Sequence, residues 1–232
     1  MIGPWAGALI GLAAAAPLRA AVVRYAVPYG EPLRLCCPAG RFGRLPGGRC
    51  PGCGDRAAGP APGTVEAVAA AVGAALGLAA DPGNAALLCW AGLFGVLLGF
   101  VDTAVLRLPD ALTLPLALGT AVLLPLADHR PAVLLRCLLA AAALGLLYGG
   151  LALLVPIGLG DAKLAPSLGA VLGLYGWGTV ASGVFAAFLL GGLWGVLLLL
   201  TRRAGRGDAL PFGPPLLLGA LVALLAAARA AV

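Results

Sequence analysis

The stretch "TVASGVFAAFLLGGLWGVLLLL", residues 179–200, contains no charged side chain. It is long enough to cross the hydrocarbon core of a bilayer as a helix, which takes about 20 apolar residues. Similar apolar runs recur along the chain, near 4–24, 65–80, 85–104, 111–127, 132–156, 164–177 and 212–230. We therefore predict an all-α polytopic membrane protein with about eight transmembrane helices.

The composition supports this fold class and excludes a soluble globular protein. Of the 232 residues, 62% are hydrophobic and only 10% are charged, which is too little polar surface for a soluble chain of this length. The net charge of +6 is explained by membrane orientation and by contact with anionic lipid. It requires no nucleic-acid partner.

Basic residues predict the orientation of the helices, because they accumulate on the cytoplasmic side. The longest connection, 27–63, and the connection after the seventh span carry most of them, and Arg107 and Lys163 fall on the same side. The first apolar run is expected to be a retained helix with its N-terminus outside, because Arg19 and Arg24 follow the run and a signal peptide has basic residues before it. The cytoplasmic arginines are Arg24, Arg34, Arg41, Arg44, Arg49, Arg56, Arg202, Arg203 and Arg206.

Two aspartates at the predicted inner boundary are difficult to explain as loop residues. Asp102 ends the run "CWAGLFGVLLGFVD", and Asp161 lies in "GLGDAKLA", a glycine-bracketed turn after the fifth span. Ionisable groups at membrane depth are expensive and usually functional. Two carboxyls that share a site hold one proton between them, which suits peptide hydrolysis by general acid and base. Helix capping by Asp161 is the structural alternative.

Three motifs in order resemble the type IV prepilin peptidases, a family of bacterial membrane aspartic proteases with a GxGD signature. They are "FVDTAVLRLPDALTLP" (100–115), "GLGDAKLAPSLGAVLG" (158–173) and "PFGP" (211–214). The resemblance covers about residues 85–232, which we expect to form the peptidase core. Residues 1–84 would then form an N-terminal region with a first helix, a cysteine-rich loop and a second helix.

The resemblance implies roles for particular residues. Asp102 and Asp161 would be the catalytic pair, with Asp110 as the rival for the first position. Lys163 would tune the pair, contact substrate or extend to the membrane interface. Supporting residues would be Gly158, Gly160, Pro211, Phe212, Gly213 and Pro214. Family members cleave the leader of prepilins and pseudopilins at the cytoplasmic face of the inner membrane, after a glycine and before an apolar helix, and the peptidase reaction needs no cofactor.

The cytoplasmic loop "LRLCCPAGRFGRLPGGRCPGCGDRAAG" (33–59) departs from the family pattern. Many members carry two CxxC pairs that bind zinc. Here Cys50 and Cys53 form one such pair, but Cys36 and Cys37 are adjacent, so a tetrahedral site requires a sharp backbone bend. Zinc binding by these four cysteines is left open. Cys89 and Cys137 lie in apolar spans and are interpreted as buried hydrophobic residues.

Full-length members of the family also methylate the new N-terminus with S-adenosylmethionine. Glu66, at the start of the second span, falls where the family has a glutamate, although a favourable charge at a helix N-terminus explains it equally well. A peptidase without methyltransferase activity is therefore an alternative. Alternatives of another class are a transporter or proton relay and a non-catalytic assembly factor. The sequence does not indicate the oligomeric state.

Overall fold

The computed structural model describes residues 3–28, 30–31, 33, 59–61, 63–154, 158–201 and 211–230. Within these ranges the chain forms eight α-helices and no strand, so the predicted all-α class is confirmed. Their bounds are α1 Pro4–Tyr25, α2 Thr64–Ala79, α3 Ala85–Val105, α4 Asp110–Ala127, α5 Pro131–Leu154, α6 Leu159–Gly173, α7 Trp177–Leu200 and α8 Gly213–Ala230.

Six of these helices, α1, α3, α4, α5, α7 and α8, are long and apolar enough to cross a membrane. The helices α2 and α6 are shorter, at 16 and 15 residues, so the prediction of eight crossings stays a prediction. Large apolar side chains on the outer face of α7, such as Phe185 and Leu193, are mostly exposed. Lipid is the solvent that suits such a surface.

The sixth helix begins earlier than the sequence indicated. We expected a span over 164–177 with Gly160 and Asp161 in the preceding turn, but α6 begins at Leu159 and includes both residues. Gly158 precedes the helix in an extended conformation. A glycine costs only about 1 kcal/mol inside a helix, and Gly160 is needed because the first turn of α6 packs closely against Leu108.

Successive helices pair as antiparallel hairpins through small residues. Between α1 and α2, a Cβ on Gly7 would lie 2.0 Å from the carbonyl oxygen of Gly73, and a Cβ on Gly11 would lie 2.0 Å from that of Ala69. Such contacts bring two backbones close together and are typical of helix pairs in membranes. The same holds for α5 with α6 at Gly169, and for α7 with α8 at Gly219.

The alternation of helix direction gives the molecule two ends. One end, the site end, holds the C-termini of α1, α3, α5 and α7 and the N-termini of the other four helices. At the opposite end, Asn84 donates a hydrogen bond to the hydroxyl of Tyr175 over 3.0 Å. Arg136 donates to the carbonyl oxygen of Gly173 over 2.6 Å and so caps α6. These contacts join the hairpins far from the aspartates.

The cysteines of the apolar spans differ in burial. Cys137 is fully buried on α5, as expected, whereas Cys89 on α3 is only half-buried. Cys36, Cys37, Cys50 and Cys53 lie outside the described residues, so the predicted metal loop is not tested.

Candidate active site

Asp102 lies in the last turn of α3, at the site end, with only 6% of its surface exposed. Its Oδ2 atom accepts a hydrogen bond of 3.0 Å from the backbone N–H of Gly213, the first residue of α8. The helix ends three residues later at Val105, and the next residue, Leu106, has a φ of 54°, which is unusual for a residue with a side chain. The carboxylate is therefore held at a helix end and is fixed by a neighbouring helix.

Asp161 lies in the first turn of α6 and is 3% exposed. The predicted alternative role of a helix cap is not what the side chain does, because Gly158 is the capping residue and no side-chain cap bond forms. Gly160 allows the close approach that buries this turn, since a Cβ there would lie 2.7 Å from Cβ of Leu108. The glycines of the motif therefore pack α6 against the segment that joins α3 to α4.

The structure brings the two aspartates to the same end of the bundle from different helices. Asp102 lies in the last turn of α3 and Asp161 in the first turn of α6, and the neighbour of Asp161, Gly160, packs against Leu108 just after α3. The Oδ1 atom of Asp161 is buried and has no hydrogen-bond partner among the described residues. A buried carboxyl oxygen without a partner is uncommon in native proteins. The catalytic role of the pair itself stays a prediction.

The "PFGP" segment contributes directly to this site. Besides the amide of Gly213, it supplies Phe212, whose ring lies 6.1 Å from that of Tyr148 and 5.5 Å from that of Phe188. Gly191 leaves room for it, because a Cβ on Gly191 would lie 2.6 Å from the Phe212 ring. Of the two prolines, Pro214 lines an apolar cavity beside the site.

Tyr148 is the residue at this site that the sequence reasoning missed. It is fully buried on α5 and stacks on Phe188 with ring centroids 5.8 Å apart. It lies one turn along α5 from Gly145, where a Cβ would be 3.2 Å from Pro166 of α6, and so stands beside the first turns of the helix that carries Asp161. The sequence did contain a signal, because Tyr148 is the only tyrosine in its apolar span. Its hydroxyl is a polar group that a lipid-facing helix does not need.

Asp110 and Lys163 form an ion pair at the rim of the site. The ammonium of Lys163, on α6, donates to Oδ1 of Asp110, the first residue of α4. Both side chains are largely exposed, in contrast to the buried Asp102 and Asp161. The carboxylate of Asp110 and the ammonium of Lys163 therefore pair with each other.

The part of the chain that holds the two aspartates matches a known protein family. Residues 85–196 match the model of the Type IV leader peptidase family. This segment belongs to the type IV leader peptidase family. It contains Asp102, Asp110, Asp161 and Lys163, which are the residues that the sequence motifs singled out. The recognition made from those motifs is confirmed.

Curated relatives extend the similarity over more of the chain. A protein of Aeromonas salmonicida (strain A449) named "Prepilin leader peptidase/N-methyltransferase" is 32% identical over 187 residues, covering 77% of this chain and 62% of its own. A protein of the same name from Aeromonas hydrophila is 32% identical over 199 residues, with the same two coverages. The chain thus spans less than two thirds of the length of these relatives. No solved structure matches.

The N-terminal helices, outside the segment that matches the leader peptidase family, carry a second cluster of charge. Arg19 on α1 is 2% exposed and donates from Nε to Oε1 of Glu66 over 3.0 Å, while a second nitrogen donates to Oε2. It also donates to the carbonyl oxygen of Pro60 over 3.0 Å. Arg19 thus fixes Glu66 against α1 and the residues that precede α2.

Two predicted cofactor contacts remain predictions. Arg19 engages both oxygens of Glu66, so this carboxylate is committed to a structural pair and nothing in its contacts indicates S-adenosylmethionine. Among the described residues no group of three or more His, Cys, Asp or Glu side chains is arranged to hold a metal ion, and the four loop cysteines fall outside them.

Proposed function

We propose that this chain is a membrane-embedded aspartic endopeptidase that removes the leader from type IV prepilin or pseudopilin precursors. One observation carries the proposal: two buried aspartates, Asp102 and Asp161, come from different helices of a leader peptidase segment and lie at the same end of the bundle. Among the described residues neither carboxylate forms an ion pair with a basic side chain, and such burial is costly unless chemistry requires it.

The hydrogen bonds suggest a division of labour between the aspartates. Asp102 is held by the amide of Gly213, and a hydrogen bond donated to a carboxylate favours its charged form. Asp161 has an oxygen without a donor among the described residues. We therefore assign Asp102 as the base that accepts a proton from water, and Asp161 as the acid that polarises the scissile carbonyl.

The proton transfers balance over the reaction. The water oxygen attacks the carbonyl carbon, one water proton passes to Asp102, and the Asp161 proton passes to the carbonyl oxygen. A neutral tetrahedral diol results, with no covalent link to the protein. When the C–N bond breaks, the leaving nitrogen takes the proton from Asp102 and a diol hydroxyl returns a proton to Asp161. Both side chains end as they began.

An apolar crevice supports lateral approach by a substrate helix. A cavity of about 320 Å³ runs between α2, α3 and α8. It begins at Thr103 and Pro214, next to Asp102 and Gly213, and continues past Val68 and Gly95 towards Leu224. We propose that the apolar segment that follows the cleavage point packs along this crevice, so that the peptide bond before it reaches the aspartates.

The proposed setting is the inner membrane of a bacterium, with the site end at the cytoplasmic face. The support is the distribution of basic residues in the sequence, since the connections 27–63 and 201–212 both emerge at the site end and carry most of the arginines. The leader of the precursor is cytoplasmic in this arrangement, on the same side as the aspartates.

N-methylation of the new N-terminus is the second candidate activity. It is favoured by the extent of the similarity, because 77% coverage of this chain is more than residues 85–232 supply. The similarity to proteins named as methyltransferases therefore extends into residues 1–84 of this chain. S-adenosylmethionine would be the methyl donor, and zinc the metal of the cysteine loop.

The test is cleavage of a peptide with a basic leader, a glycine and an apolar helix by the purified chain in detergent. We expect cleavage after the glycine by the wild type, and a loss of about 1,000-fold or more in Asp102→Asn and Asp161→Asn, within the range for removing a general acid or base. Asp110→Asn is the matched control and should retain activity. Added S-adenosylmethionine should increase the product mass by one CH₂ if methylation occurs.

Three outcomes would contradict these assignments. Loss of activity in Asp110→Asn with retention in Asp102→Asn would transfer the first role to Asp110. Absence of cleavage by folded wild type, with several leaders tried, would favour the non-catalytic assembly factor. Proton flux across liposomes that depends on Asp102 and Asp161 would favour the relay.

A further inference from the structure

The ring of Tyr148 is held by two aromatic neighbours. It is fully buried, it stacks on Phe188 of α7 with an interplanar angle of 4°, and it meets the tilted ring of Phe212 just before α8. Both contacts come from the α7–α8 hairpin, whereas Tyr148 itself belongs to the α5–α6 hairpin. The direction of the hydroxyl is set by packing and not by a hydrogen bond.

The hydroxyl of Tyr148 is buried and has no hydrogen-bond partner in the part of the chain that the structure describes. The same is true of Oδ1 of Asp161. Asp161 lies in the first turn of α6, which packs antiparallel to α5 so closely that a Cβ on Gly145, one turn before Tyr148, would be 3.2 Å from Pro166. Buried tyrosine hydroxyls usually find a partner. Two buried polar atoms without partners at the same end of the bundle are costly in the free protein, and a polar group from outside the chain would satisfy both during function.

We propose that the Tyr148 hydroxyl donates a hydrogen bond to the carbonyl oxygen of the scissile peptide. This inference rests on the proposed function and adds a third catalytic residue to it. As water attacks the carbonyl carbon, negative charge develops on that oxygen, and Asp161 supplies its proton there. A second donor, fixed in advance and shielded from water, stabilises that charge. Tyr148 keeps its own proton throughout, so the proton balance of the reaction is unchanged.

The variant that isolates this role is Tyr148→Phe, which removes only the hydroxyl and keeps the ring against Phe188 and Phe212. We expect kcat for the leader peptide to fall about 100-fold, the size of effect known for the loss of one such donor. KM and the shape of the pH profile should stay the same, because the aspartates are untouched. The thermal unfolding temperature in detergent should not fall, because the hydroxyl makes no hydrogen bond to any residue that the structure describes.

Tyr175→Phe is the matched control. Its hydroxyl accepts a hydrogen bond from Asn84 at the opposite end, so its loss should lower the unfolding temperature and leave kcat unchanged. Tyr148→Phe would overturn the inference by cleaving like the wild type, or by raising KM at constant kcat. A displaced pH profile would also overturn it, because Tyr148 would then act by positioning Asp161. If the wild type cleaves no leader peptide, the proposed function fails and this inference fails with it.

Discussion

The backbone N–H of Gly213 donates a hydrogen bond of 3.0 Å to Oδ2 of Asp102. The two residues are 111 positions apart in sequence and belong to the first and last helices of the region that carries the motifs. This contact explains why a glycine stands at the start of α8. A Cβ there would lie 2.7 Å from the same carboxylate oxygen, so no larger residue fits without moving Asp102.

Gly213→Ala should therefore displace the Asp102 carboxylate. We expect leader cleavage to fall about 100-fold, the size of effect known for a misplacement of about 1 Å at a reacting group. The measurement is kcat on the peptide substrate. Gly192→Ala is the control, because a Cβ on Gly192 meets nothing within 4 Å and should leave kcat unchanged. Equal activity in the two variants would show that the amide contact is dispensable.

Val68→Trp tests the apolar crevice as the path of the substrate helix. Val68 lines the crevice on α2 and is partly exposed, so a bulkier ring should obstruct an incoming helix. We expect KM for a substrate with its full apolar segment to rise about 10-fold while kcat is retained, as expected for lost binding. Val122→Trp, on the exposed surface of α4, should behave like the wild type. Equal KM values in both variants would place the substrate elsewhere.

The Arg19 and Glu66 pair should be coupled in stability. Arg19→Met leaves Glu66 without its partner and removes the donor to the carbonyl of Pro60, so we expect a loss of about 1 to 3 kcal/mol in the free energy of unfolding. The double variant Arg19→Met/Glu66→Met should be less destabilised than the sum of the two single variants, because no unpaired charge remains. Denaturation in mixed micelles measures the cycle. Simple additivity would mean that the pair contributes nothing.

The backbone contact between α1 and α2 should not tolerate a larger residue. A Cβ on Gly73 would lie 2.2 Å from the carbonyl oxygen of Gly7, so Gly73→Leu should force the two helices apart. We expect a loss of about 1 to 3 kcal/mol, typical of overpacking, seen as a lower unfolding temperature in detergent. Gly149→Leu, on α5, is the comparison, because a Cβ there meets nothing within 4 Å. An unchanged unfolding temperature in Gly73→Leu would contradict the contact.

Much of the fold was predictable because a bilayer imposes length and apolarity on each helix. Asp102 and Asp161 could be singled out for the same reason, since a carboxylate at membrane depth is conspicuous. The start of α6 was predicted wrongly, because two glycines in three residues, Gly158 and Gly160, are typical of a turn. The sequence does not show that Gly160 lies inside the helix and is small because it packs against Leu108. The partner of Lys163 was equally hidden, since its contact with Asp110 depends on how α4 and α6 pack.

Other features were concealed by the composition. Gly7 and Gly11 are four residues apart, as are Ala69 and Gly73, which is the spacing of close helix pairs. In a chain so rich in alanine and glycine this spacing recurs everywhere and identifies no particular pair. Tyr148 was hidden for a different reason, because its importance depends on the unpartnered oxygen of Asp161 and not on any neighbour in sequence.

The hydrogen bond between Gly213 and Asp102 affects the order in which the site forms during synthesis of the protein. A ribosome delivers α3 to the membrane well before α8, so the nascent chain carries both aspartates while their last supporting element is still unmade. The site becomes complete only when residues 211–230 have inserted. On the proposed function, a chain made only as far as α7 holds both aspartates without the amide that fixes Asp102, so leader cleavage should begin only after α8 has inserted.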